Sequence, residues 1–138
     1  MTIIRLLLLL QLILPTGNNT WLVQVVSSGG FTGNGTGNFA ISSEGRVLCS
    51  LREMQCPEKF TVALLTPLVE AIQPDRIPPI VRTVPNLCND CITWTLTVRA
   101  RSSSGVEQTY VATWDDLTRS QVAPELIRIF DAVVALRK

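Results

Sequence analysis

Four cysteines and one missing residue type bound the chemistry open to this sequence. Cys49, Cys56, Cys88 and Cys91 are its only thiols, and it contains no histidine. Without imidazole there is no Ser-His-Asp triad, no histidine metal triad and no histidine acid-base catalysis. A four-thiolate zinc site normally uses two short knuckles, whereas the first pair here is spaced Cys-x6-Cys. Cys88-Asn-Asp-Cys91 has the spacing of a redox pair, but such a pair opens a helix and this one precedes a strand-like run. Two disulfides are the expected use of all four sulfurs. Their connectivity stays open between sequential pairing (Cys49 with Cys56, Cys88 with Cys91) and crossed pairing that would tie the two halves together.

The remaining polar candidates are few. Asp115 and Asp116 are adjacent, but neighbours at a strand end point to opposite faces, so they read as solvating and capping residues. Gly29, Gly30, Gly33, Gly35 and Gly37 crowd one segment. A phosphate-binding Walker loop would need Lys where Thr36 stands. The dinucleotide fingerprint fails too, since its glycine spacing is absent and no helix pattern succeeds the glycines. Two readings of the segment remain: a flexible hairpin connection, or a protruding recognition loop with Phe31 as its apolar anchor. Asn18-Asn-Thr20 and Asn34-Gly-Thr36 are glycosylation sequons. Arg99 and Arg101 read as a solvated strand edge.

Size, charge and hydrophobic patterning give the framework that carries these residues. A chain of 138 residues and 15.2 kDa is the size of one domain. Twelve basic against eleven acidic residues, without a run of like charges, argue against nucleic-acid binding. Arg5 followed by the apolar stretch 6–14 and Pro15-Thr16-Gly17 has the form of a signal peptide, too short to span a bilayer. Residues 1–17 are therefore expected to be removed, leaving a single domain 18–138 that is secreted or periplasmic and has no membrane anchor.

Trp21 to Val26 reads as a strand ended by Ser27 to Gly30. A second strand, interrupted at Ser42 to Gly45, covers Phe39 to Ile41 and Arg46 to Cys49. Pro57 begins a helix that Pro67 kinks, Thr66 re-caps and Pro74 closes. Residues 73–86, with four prolines, read as an irregular connection. Ile92, Trp94, Leu96 and Val98 alternate with polar residues, and Tyr110, Ala112 and Trp114 do the same, which predicts a hairpin turning at Ser102 to Gly105. Pro124, Glu125 and the stripe Leu126, Ile127, Phe130, Val133 and Val134 predict an amphipathic C-terminal helix. The sum is an α+β domain in the order β-β-α-β-β-α: a four-stranded antiparallel sheet with two helices on one face.

Val25-Val-Ser-Ser-Gly-Gly-Phe-Thr-Gly33, the hairpin from Ile92 to Asp116 and Pro124-Glu-Leu opening a closing helix together resemble emfourin, the family of bacterial protein inhibitors of thermolysin-like metalloproteases. The resemblance runs from about Trp21 to Leu136, and its specific motif is Ser28-Gly-Gly-Phe-Thr-Gly33. It implies a protein with no catalytic residues and no cofactor, whose partner is a metalloprotease. Ser28, Gly29, Gly30, Phe31, Thr32, Gly33 and Asn34 would then lie in the protease cleft and occlude it, with Phe31 as anchor. The alternative is an exported, disulfide-stabilised binding module for another ligand. Intact mass spectrometry is expected to show a gain of four hydrogens on reduction, two for each bridge opened. Four alkylatable thiols in unreduced protein would contradict the two bridges.

Overall fold

Strands with one apolar face and helices with one apolar stripe can bury both only against each other, and this chain does so. The computed structural model describes residues 20–30, 38–50, 62–72, 80–82, 90–101 and 105–135. The proposed leader 1–17 lies outside them. Six strands are present among these residues: β1 (Trp21–Gly29), β2 (Asn38–Ser42), β3 (Val47–Ser50), β4 (Ile80–Arg82), β5 (Ile92–Arg101) and β6 (Glu107–Asp115). They lie in the order β3-β2-β1-β5-β6-β4. Five of them, β1, β2, β3, β5 and β6, form an antiparallel sheet, and the three-residue β4 runs parallel to β6 at one edge.

The α+β class stands, but the sheet is larger than the four strands expected. Ser42 to Gly45 is not an interruption of one strand; it is the turn of a β2–β3 hairpin. Gly45 adopts φ 81°, its N–H reaches the Ser42 carbonyl at 2.9 Å, and Ser42 N–H pairs with the Arg46 carbonyl at 3.0 Å. A left-handed residue at the turn lets the chain reverse there, and only glycine adopts it without a steric penalty. The second addition is β4, inside the segment read as irregular. Ile80 to Arg82 is a proline-free step in that segment, and prolines are tolerated beside an edge strand.

One face of the sheet collects Trp21, Val23 and Val25 from β1, Phe39 and Ile41 from β2, Leu96 and Val98 from β5, and Tyr110, Ala112 and Trp114 from β6, all buried. Two helices, α1 (Leu65–Glu70) and α2 (Pro124–Ala135), join these residues in one core. Pro124 opens α2, where a missing N–H costs nothing, and Glu125 lies in the positive first turn. Leu126, Ile129, Phe130 and Val133 are its buried stripe. Ile127 and Val134, placed on that stripe by the sequence, are half-buried, and Ile129 is the inward residue the sequence reading lacked. Phe130 meets Trp94 and Trp114 edge to face, with centroids 5.1 and 4.9 Å away.

The expected start of α1 at Pro57 lies outside the described residues, and the expected re-capping by Thr66 does not occur. The helix is capped by Leu64, and Pro67 is its third residue. Amides of the first turn have no partner within a helix, so proline is accommodated there without a lost bond or a kink. The Thr66 hydroxyl instead donates to the Val62 carbonyl and accepts from Trp21 Nε1 at 3.3 Å, fastening α1 to β1.

Phe130→Ala is expected to cost roughly 3–5 kcal/mol in denaturant unfolding, while Arg128→Ala on the exposed side changes stability by less than about 0.5 kcal/mol. Equal costs would mean that the face of α2 is misassigned.

Candidate functional site

The glycine-rich segment leaves the sheet where β1 ends, and its first residues are bound tightly to their surroundings. Ser28 pairs with Thr93 and Gly29 with Ile92 at the end of the β1–β5 ladder. Gly30 N–H then donates to the Cys91 carbonyl at 3.1 Å. Gly29 and Gly30 both have positive φ, 81° and 76°. A Cβ on Gly29 would stand 2.7 Å from the Cys91 carbonyl oxygen, closer than side chains come to backbone. Both left-handed geometry and close approach therefore require glycine at this position.

The returning end of the loop is held as well. Asn38 opens β2, and its side-chain oxygen accepts the Ser27 amide at 3.2 Å. Ser27 is buried and Ser28 is exposed, so the chain passes from core to solvent within one residue. Of the seven residues assigned to the recognition loop, Ser28, Gly29 and Gly30 stand together here. Phe31, Thr32, Gly33 and Asn34 lie outside the described residues, as does the sequon residue Asn18. Sequence reasoning missed Asn38 and the Cys91 carbonyl as the anchors of this loop. The signal for Asn38 was present, since a short amide after a glycine run is a common acceptor for nearby backbone.

Asp115 and Asp116 lie at the same end of the sheet and act as caps. Asp115, 1% exposed, accepts from the amides of Leu117 and Thr118 at 2.8 and 2.9 Å and from the Thr118 hydroxyl at 3.1 Å. Asp116 accepts from the Ile92 amide at 3.1 Å, bracing the first residue of β5 beside Cys91. The two carboxylates thus hold different backbone segments. Among the described residues no three His, Cys, Asp or Glu side chains gather as a metal site.

Arg99 and Arg101 are not on a strand edge. They project from β5, an interior strand between β1 and β6, and pair with opposite oxygens of Glu107 at 3.3 and 3.4 Å. Arg119 is also engaged, with both oxygens of Asp131 at 2.6 Å and with the Phe130 ring beneath its guanidinium.

Cys49 and Cys91 are the two cysteines among the described residues, and neither is a free thiol. Each belongs to a disulfide, and Cys56 and Cys88 lie outside those residues. No family model, curated protein or solved structure matches this chain.

Gly29→Ala is expected to destabilise the protein by about 1–3 kcal/mol, since it adds backbone strain and a contact with Cys91. Ser28→Ala, one residue away and exposed, should stay within about 0.5 kcal/mol. Thermal or urea unfolding of both variants measures the contrast.

Proposed function

We propose that this chain is an exported, non-catalytic protein-binding module that inhibits a thermolysin-like metalloprotease by occupying its cleft with the loop beginning at Ser28. The observation that carries this reading is the pinning of that loop at both ends: Gly30 to the Cys91 carbonyl, and Asn38 to the Ser27 amide. A loop whose ends are fixed before binding loses less conformational freedom on association than a free segment does. It also resists being drawn into the geometry that a protease needs for attack on a peptide bond, because reacting atoms must be aligned closely for cleavage. Small residues let its backbone approach a partner, and Phe31 is the apolar side chain available to fill a pocket. The export signal and the disulfides support an exported module in general, because a small domain outside the reducing cytosol gains stability from covalent bridges, and they are departures from the emfourin pattern.

The broader reading, a binding module for a different protein, uses the same loop. The insertion Asn34 to Asn38, which lengthens the loop beyond the emfourin pattern, favours it. A pull-down from the culture medium separates the two by identifying the captured protein.

The purified mature chain is expected to inhibit thermolysin stoichiometrically. Phe31→Ala should weaken that inhibition by about 2 kcal/mol, an interface hot-spot effect, while leaving the unfolding midpoint in place. A Phe31→Ala protein that loses about 3 kcal/mol of stability would show instead that Phe31 is ordinary core. Absence of inhibition, with no protease recovered in the pull-down, would overturn the inhibitor reading.

A further inference from the structure

The sheet registers decide the disulfide pairing that sequence spacing leaves open. Cys49 lies opposite Phe39, Phe39 opposite Val25, and Val25 opposite Leu96. Cys49 is thus three strands away from β5, about 14 Å across the sheet at the usual strand spacing. Cys91 continues the β1–β5 ladder, opposite Gly30, and precedes Leu96 by five residues. That places it about 16 Å along the strand direction from the row containing Cys49. Strand twist rotates successive strands about the axis that crosses the sheet, so the two displacements stay perpendicular and combine to about 22 Å.

A disulfide requires Cα atoms within about 7 Å, so Cys49 and Cys91 are not bonded to each other. Cys88 is three residues before Cys91 and can extend at most about 11 Å from it. Even aimed straight at Cys49, it would remain about 11 Å short of it, still beyond a bridge. Neither Cys91 nor Cys88 can therefore partner Cys49.

We infer that Cys49 is bridged to Cys56, and Cys91 to Cys88. Each bridge forms when a thiol pair gives up two protons and two electrons by exchange with a disulfide-bearing oxidant, which leaves as a dithiol. Both bridges are local, spanning six and two intervening residues. The second closes immediately beside the carbonyl that receives Gly30, so it braces the base of the glycine-rich loop. The pairing rests on the registers, on chain reach and on Cys49 and Cys91 each belonging to a disulfide, and it stands whether or not that loop binds a protease.

Tryptic mapping of the unreduced chain tests the pairing. Digestion in mildly acidic urea, with a maleimide present to block exchange, cuts after Arg46, Arg52, Lys59, Arg82 and Arg99. The expected products are peptide 47–52 joined to peptide 53–59, and peptide 83–99 unjoined but lighter by two hydrogens than its reduced form. Peptide 83–99 joined to either of the others would overturn the inference, as would maleimide on any of the four cysteines.

Discussion

Every other element of this molecule is built onto the pairing of β1 with β5. Nine residue pairs, from Trp21 opposite Ala100 to Gly29 opposite Ile92, join segments separated by nearly half of the chain. Closing so long a loop costs conformational entropy before any contact compensates for it. The compensation is concentrated at the seam, where Val23, Val25, Leu96 and Val98 are all buried to about the last per cent of their surface. The remaining antiparallel strands are added locally to one side of this pair or the other: the β2–β3 hairpin follows β1, and β6 begins six residues after β5 ends. The helices then cover the face that the seam has made continuous.

The same seam fixes the base of the proposed recognition loop. Its ladder ends at Gly29, and the next amide still finds a carbonyl across the strand. Asp116, from the end of β6, holds the Ile92 amide in the same neighbourhood. The loop is therefore anchored to the centre of the sheet and not to its edge, which is the mechanical requirement for a segment that must keep its shape in a partner's cleft. The two faces of the sheet carry different constraints. The helix-covered face is close-packed and sensitive to volume, whereas the other carries a hydroxyl pair, Thr95 with Thr113 at 3.1 Å, and the Arg99–Glu107–Arg101 cluster. Partly exposed ion pairs of this kind contribute only about 0–1 kcal/mol each.

Local bridges sharpen the importance of the seam. On the pairing inferred above, no disulfide crosses between the N-terminal three strands and the C-terminal hairpin, so side-chain burial and the β1–β5 ladder hold them side by side. Short closed loops also constrain the unfolded chain less than long ones would. The inferred bridges would then act locally, one at the edge strand β3, which carries Cys49, and one at the loop base, where Cys91 receives Gly30.

Features that arise from local periodicity and local chemistry were legible in the sequence alone. The alternation in Ile92 to Val98 and in Tyr110 to Trp114 gives the hairpin, and Pro124, Glu125 and the three-and-four spacing from Leu126 to Val133 give the closing helix. The capping use of Asp115 and Asp116 was legible because short carboxylates at a strand end find nearby amides. Features that depend on partners distant in sequence emerge only with the tertiary fold. Ser42 to Gly45 is a turn and not a pause because β3 finds β2, and Ile80 to Arg82 is a strand because β6 lies beside it. Arg99 and Arg101 stand on an interior strand and not an edge because β1 pairs with the other side of β5, Thr66 serves Trp21 and not its own helix, and Gly29 must be glycine because Cys91 is its neighbour. The disulfide pairing inferred from the registers belongs to this second group as well. A strand's period is carried by its own residues, but its neighbours, its edges and the distances between its cysteines exist only once the backbone hydrogen bonds have chosen a register.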